Sequence, residues 1–163
     1  MRILMVCLGN ICRSPLAEGI LSQKIKAEAL NWEVDSAGTG AYHIGNQPDP
    51  RSISMARQHG IDITRQKARQ IQTADLDNFD LILTMDHSNY RNVRSLAKTD
   101  TQLDKIKLIM EFASDGLAEQ VPDPYWDDDG FLQVYHMLDN AIEGILEAYA
   151  HMPDDVAQPR RTN

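Results

Sequence analysis

Residues Ile3–Val6 form an unbroken apolar run, Ile-Leu-Met-Val, that stops at Cys7. A run without polar alternation leaves no face for water, so it fits a strand covered on both sides. Such strands belong to parallel sheets, whose connections are helices lying on the sheet faces. Asp80–Met85 (DLILTM) and Lys105–Met110 (KIKLIM) repeat the pattern, and Trp32–Ser36 reads as a further strand closed by Ala37-Gly38-Thr39-Gly40.

Helical patterns fill the intervals. One is predicted over Pro15–Ala29, with Ala17, Ile20, Leu21, Ile25 and Ala29 on one face, Ser14 as N-cap and Pro15 at the first helical position. Asp49-Pro50 opens a second, which His59-Gly60 ends with Gly60 as a left-handed cap. Asp86 is placed to cap the helix after DLILTM. The longest helix is predicted from Asp128 to Ala150, with a stripe of Phe131, Val134, Tyr135, Leu138, Ala141, Ile142, Ile145, Leu146 and Tyr149. The alternation predicts an α/β fold: a central four-stranded parallel sheet with helices on both faces. Ligands of such sheets sit at the carboxyl ends of the strands, near a topological switch point. Cys7 ends the first strand.

The 163 residues suit one domain, expected over residues 1–152, with a polar tail at 153–163 that should fray. Sixteen Lys and Arg against 24 Asp and Glu give a net charge of −8. That balance excludes nonspecific nucleic-acid binding, which needs a basic face, and docking on an anionic membrane. No apolar run nears the ~18 residues of a membrane-spanning helix. Neither a signal peptide nor a disulfide framework is expected, since the first apolar run is short and there are two cysteines, so the natural compartment is a reducing cytoplasm.

Residues 7–14, Cys-Leu-Gly-Asn-Ile-Cys-Arg-Ser, carry the chemistry. A loop between strand and helix can turn its N–H groups inward as an anion nest, and the helix N-terminus adds partial positive charge at the same place. Leu8, Gly9, Asn10, Ile11 and Cys12 are the candidate cradle. Gly9 and Asn10 tolerate the left-handed angles of a tight nest. Arg13 offers a planar fork matched to two phosphate oxygens. Cys7 lies where these fields converge, as a candidate nucleophile, and the Ser14 hydroxyl is placed to donate to its sulfur. No Gly-Lys-Ser/Thr follows a glycine-rich run, so this is not a nucleotide-binding loop.

The stretch CLGNICRSP, Cys7–Pro15, resembles the signature of the low-molecular-weight protein tyrosine phosphatases. DSAGTG at Asp35–Gly40, HGI at His59–Ile61, KARQ at Lys67–Gln70, Met85-Asp86 and DPYW at Asp123–Trp126 resemble that family in the same order, over about residues 2–150. The C-x5-R spacing is shared with other thiol phosphatases and rhodanese-like proteins; its N-terminal position and the late Asp-Pro-Tyr narrow the match.

The resemblance implies a phosphotyrosine phosphatase acting on proteins or peptides through a cysteinyl-phosphate intermediate and releasing inorganic phosphate, with no metal and no cofactor. It makes Asp123 the general acid, which protonates the leaving oxygen and then acts as base for water. It makes Asn10 and Ser36 supports of the phosphate loop, alongside Ser14. It places Tyr42 on one crevice wall, opposite Tyr125 and Trp126, which flank the acid. Cys12 becomes the redox partner that captures oxidised Cys7 as a disulfide. One departure stands out: Gln66 occupies a position where many relatives carry a loop-bracing histidine.

Asp127-Asp128-Asp129 invites a metal reading, but consecutive carboxylates at a helix start are more simply caps and dipole partners. The histidines, His43, His59, His87, His136 and His151, lack ligand spacing. Three rival functions share the resemblance. A thiol-dependent arsenate reductase would need later cysteines, and none follows Cys12. A protein-arginine phosphatase would carry Thr at Ile11. A non-catalytic phosphoprotein-binding module would have lost some of Cys7, Arg13, Ser14 and Asp123, and all are present.

Overall fold

The computed structural model describes residues 1–150. The expected fraying of the tail at 153–163 concerns residues outside those described. Four strands, β1 (Arg2–Cys7), β2 (Glu33–Gly38), β3 (Leu81–Thr84) and β4 (Ile106–Leu108), form one parallel sheet in the order β2-β1-β3-β4. Among the described residues six α-helices accompany it: α1 (Arg13–Ala27), α2 (Pro50–Gln58), α3 (Asp75–Asn78), α4 (His87–Arg94), α5 (Asp100–Asp104) and α6 (Gly130–Tyr149). The expected α/β architecture is the observed one.

β1 shows why its sequence has no polar face. Ile3, Met5 and Cys7 point into a core shared with Leu16, Ile20 and Leu21 of α1 and with the stripe of α6. Leu4 and Val6 point the other way, onto Leu76, Phe79, Ile82 and Val93. Each fully buried aliphatic side chain contributes about 1.5–3 kcal/mol, and Ile3, Leu4, Met5 and Val6 are all completely buried. The central strand is therefore pinned from both sides. The strand order reverses at β1, which has β2 on one side and β3 on the other, and Cys7 stands at its carboxyl end.

The structure corrects several boundaries. α1 begins at Arg13 with Cys12 in the capping position and no side-chain cap bond, so Ser14 is a buried residue of the first turn and not the N-cap. Its hydroxyl is taken by other partners, described below. α1 ends at Ala27, and Ala29, expected on the buried face, is exposed at φ 52°. There it turns the chain so that Leu30 N–H reaches the Ile25 carbonyl at 3.0 Å, a left-handed cap built on alanine in place of glycine.

β2 runs two residues past Ser36, because pairing with β1 continues to Cys7–Gly38. The apolar run Lys105–Met110 holds a three-residue strand and then a 3₁₀ turn over Ile109–Phe112. α6 lies against that turn through Gly144, where a β-carbon would stand 1.8 Å from the Phe112 carbonyl oxygen. The predicted caps at Asp49 and Asp86 are present, accepting from the N–H of Arg51 and of Asn89, and Gly60 is left-handed at φ 73°. The acidic triplet does not cap α6: Asp129 makes no side-chain cap bond, Asp127 accepts from the Asp129 N–H, and Asp128 pairs with Arg51.

Candidate active site

The Cys7 side chain is buried at the end of β1. Asn10 N–H donates to its sulfur at 3.3 Å, and Ser14 Oγ lies 3.0 Å from it. The loop therefore curls around the thiol, with Asn10 in the left-handed conformation at φ 54°. A non-glycine residue held there needs compensation, and the Asn10 side chain supplies it. Its Nδ2 donates to Ser14 Oγ at 2.8 Å and to Ser36 Oγ at 2.9 Å, and its Oδ1 accepts from Arg69 N–H at 3.0 Å. Asn10, Ser14 and Ser36 thus meet in one buried network.

Further supports carry no local signature in the sequence. Ser52 of α2 donates to the Cys12 carbonyl at 3.1 Å, and Asp49 N–H donates to the Ile11 carbonyl at 2.8 Å. Thr39 and Gly40 N–H groups hold the carbonyls of Cys7 and Leu8 at 2.8 and 2.9 Å. Gly38 must lack a side chain, since a β-carbon there would stand 2.6 Å from the Leu8 carbonyl oxygen. That requirement accounts for the first glycine of DSAGTG. Gln66 donates from Nε2 to the Pro15 carbonyl at 3.1 Å, so it ties the loop's trailing helix turn and makes no bond to Asn10.

Arg13 is almost fully buried, an unusual place for a guanidinium. Its Nη1 donates to Asp86 Oδ2 at 2.7 Å and to the Val121 carbonyl at 3.1 Å. Nη2 lies 3.5 Å from Asp123 Oδ2. Burial works against its charge, but Cys7, Asp86 and Asp123 outweigh that, so the guanidinium is held more firmly protonated than usual. Asp86 does two tasks: one oxygen caps α4 and the other orients Arg13. Its capping role is legible in the sequence; its grip on Arg13, 73 residues away in the chain, is not.

Asp123 begins the turn Pro124–Trp126 and accepts the Tyr125 N–H at 3.1 Å. Val121 N–H donates to the Met85 carbonyl at 2.8 Å, which brings the segment carrying Asp123 across the mouth of the loop. Cys7, Leu8, Gly9, Ile11, Cys12, Arg13 and Asp123 all line one cleft of about 350 Å³, with Tyr42, Tyr125 and Trp126 on its sides. The walls stand well out into solvent, Trp126 at 89% and Tyr42 at 77% exposure. His43 also lines the cleft, a residue that ligand-spacing arguments pass over.

Arg51 braces the segment that follows Asp123. It pairs with Asp49 and Asp128, and its guanidinium lies 5.6 Å from the Tyr125 ring centre and 4.7 Å from that of Phe131. Hydrogen bonds to Arg51 hold the Asp49 carboxyl below its usual range. The Cys12 thiol is pushed the other way, up to about 12, by burial and then by the charges of Asp49, Cys7 and Asp123.

The family model for low molecular weight phosphotyrosine protein phosphatases matches residues 2–155. The chain belongs to that family. A phosphatase of this family from Schizosaccharomyces pombe is 40% identical over 153 residues, covering 91% of this chain and 97% of its own. A protein tyrosine phosphatase from Entamoeba histolytica, crystallised with Hepes in its active site, superposes with a TM-score of 0.87 at 34% identity, covering 92% of this chain and 97% of its own. A Drosophila arginine phosphatase superposes equally well, with a TM-score of 0.87 at 33% identity, covering 94% of this chain and all of its own. The low molecular weight phosphatase fold therefore accompanies more than one phosphoryl substrate, and the residues of the cleft must distinguish them.

Proposed function

We propose that this phosphatase hydrolyses phosphotyrosine monoesters in proteins or peptides and releases inorganic phosphate, without a metal or cofactor. The observation that carries the reading is the shared cleft: a sulfur bonded by Asn10 N–H and Ser14 Oγ, a buried guanidinium and a carboxylate lie between aromatic walls. Arg13 and the N–H groups of Leu8 to Ser14 bind the phosphoryl oxygens and stabilise the charge they gain in the transition state. The Cys7 thiolate attacks phosphorus as the ester oxygen departs, and Asp123 gives that oxygen its proton. Water then attacks the cysteinyl phosphate, Asp123 takes the water's proton, and the sulfur–phosphorus bond breaks. The Ser14 hydroxyl stabilises the departing thiolate.

Apolar Ile11 and the walls Tyr42, Tyr125 and Trp126 suit an aryl phosphate better than a guanidinium phosphate. The test is hydrolysis of phosphotyrosine, phosphoserine and phosphoarginine peptides side by side, each with a Cys7→Ser control. Phosphotyrosine is expected to be the preferred substrate and chelators to leave its hydrolysis unchanged. Preference for phosphoarginine would overturn the substrate assignment, and binding without turnover would overturn the enzyme.

Residues 1–152 are proposed to act as one domain in a reducing compartment such as the cytoplasm, where both cysteines stay free as in this structure. Among the described residues no helix is long and apolar enough to cross a membrane. Under peroxide, the Cys7 thiolate is oxidised to sulfenic acid; Cys12 sulfur then attacks it, water leaves, and a disulfide spares Cys7 from irreversible oxidation. Because the Cys12 thiol holds its proton up to about pH 12, disulfide formation should quicken as pH rises. Peroxide is expected to inactivate the protein and dithiothreitol to restore it. Cys12→Ala should be inactivated as readily but recover poorly. Full recovery of that variant would reduce Cys12 to a packing residue.

A further inference from the structure

Glu18 lies on α1 one turn beyond Ser14, and no step of the proposed hydrolysis uses it. Its side chain is partly buried, and its Oε2 accepts from Ser36 Oγ at 2.5 Å. That bond ends a chain running Glu18–Ser36–Asn10–Ser14–Cys7. The proton order along it is set by chemistry. Asn10 Oδ1 is occupied by Arg69 N–H, so the Asn10 amide nitrogen faces both serines and donates to each. Each serine oxygen, having accepted, has its own proton to give. Ser36 gives its proton to Glu18, and Ser14 gives its proton to the Cys7 sulfur.

This order needs an acceptor at both ends. A carboxylate is acceptor-only, whereas a carboxyl protonated at Oε2 is a donor. Ser36 would then receive from Glu18 and Asn10 together, its own proton would lose its acceptor, and the Asn10–Ser36 bond would weaken. Asn10 sits at positive φ and is held there by these bonds, so their loss loosens the residue whose N–H also reaches the sulfur.

We propose that Glu18 is a positioning residue for Cys7: its carboxylate, acting through Ser36 and Asn10, keeps the Ser14 hydroxyl proton on the sulfur, and protonation of Glu18 relaxes that hold. The proposal rests on the reading of Cys7 as nucleophile.

The groups facing Glu18 allow it to titrate near neutrality. Burial pushes its carboxyl up to about 7; the Ser36 bond opposes this, Asp35 of β2 adds to it, and Arg69 counters it. Arg69 is itself shared between Asp35 and Asp75, at 2.9 Å from each. Lys26 of α1 and Asp62 beyond α2 line the same groove of about 390 Å³, with the neutral Ser22, Gln23 and Gln66. The buried Gln66 Oε1 there has no hydrogen-bond partner among the described residues.

The two consequences have opposite signs. The folded protein holds the Glu18 proton more tightly than an unfolded chain, whose glutamate titrates near about 4.3. The stability due to that proton is complete below this value and is lost as pH rises through about 7. Support of the sulfur does the reverse and appears as pH rises through the same range.

The test compares Glu18→Gln with wild type in the rate of Cys7 alkylation by iodoacetamide between about pH 5.5 and 8.5. Glutamine keeps an acceptor oxygen but cannot titrate in this range. Cys12 does not compete, because its thiol holds its proton up to about pH 12. Taking the ratio cancels every ionisation common to both proteins. Variant over wild type should be near one above about pH 8 and rise to about three- to tenfold below about pH 6, the scale of one hydrogen bond. The midpoint should fall near 7.

The kcat/KM ratio on p-nitrophenyl phosphate should follow the same curve, and Glu18→Ala should be slower than wild type above about pH 8 and converge on it below about pH 6. A flat ratio from folded variants overturns the proposal. If Glu18→Gln does not fold, wild type alone must show a second inflection near pH 7 in its alkylation profile, and a single thiol ionisation overturns it. An inflecting alkylation ratio in a protein with no turnover would sink the phosphatase reading and leave the role of Glu18 standing.

Discussion

Cys7→Ser is expected to lower turnover of p-nitrophenyl phosphate by about 10⁴-fold or more, the scale of losing a nucleophile, while tungstate still binds. The expectation separates two properties that one loop combines. Binding of an oxyanion needs the N–H groups of the loop, the buried Arg13 and the brace from Asp86, none of which the substitution touches. Covalent chemistry needs a thiolate, and a serine hydroxyl retains its proton near neutrality. The serine should be tolerated in the fold, because the site already offers partners for a polar atom in Asn10 N–H and Ser14 Oγ. Calorimetric binding of tungstate with unmeasurable turnover is the expected pair of results. Turnover close to wild type would remove Cys7 from the mechanism.

Asp123→Asn should lower kcat by about 10²–10⁴-fold on esters of poorly acidic phenols, the usual size of general acid catalysis. Asparagine keeps an oxygen for the Tyr125 N–H and so preserves the turn, but its amide N–H is not acidic enough to transfer a proton to a leaving oxygen. The loss should shrink as the leaving phenol becomes more acidic, because such a group departs without help. A series of aryl phosphates reads this directly as a steeper dependence of log kcat on leaving-group pKa. An equal loss for every phenol would mean that Asp123 serves through its contact with Arg13, 3.5 Å away, and not as a proton donor.

Much of this is readable in the chain because the phosphate loop is local. Cys7 to Ser14 are consecutive, a strand must end and a helix must begin there, and that junction concentrates N–H groups on a point. What is not legible is where one residue serves a distant partner. Ser14 has the composition and position of a cap, yet its hydroxyl is committed to Cys7 and Asn10. Asp128 has the position of a partner for its own helix, yet it is paired with Arg51 of α2. Asp86 caps as expected, but nothing in its neighbourhood along the chain announces the second bond to Arg13.

The parallel sheet, and the place of Cys7 at the carboxyl end of its first strand, follow from the sequence. An apolar run with no polar face admits burial on both sides, and β1 is the strand so buried. Motif order determined the family, in agreement with the match over residues 2–155. The tertiary structure alone decided how the loop is braced and which carboxylate meets it. Asn10 is anchored by Ser36, Arg69 and, through Ser36, Glu18, which come from β2, the segment after α2, and α1. Asp123 reaches the cleft because Val121 is bonded to Met85 at the end of β3. The physical reason is that hydrogen-bond partners of buried polar groups are chosen by proximity in space. Periodicity along a chain reports which face of an element is covered, and carries no record of what covers it.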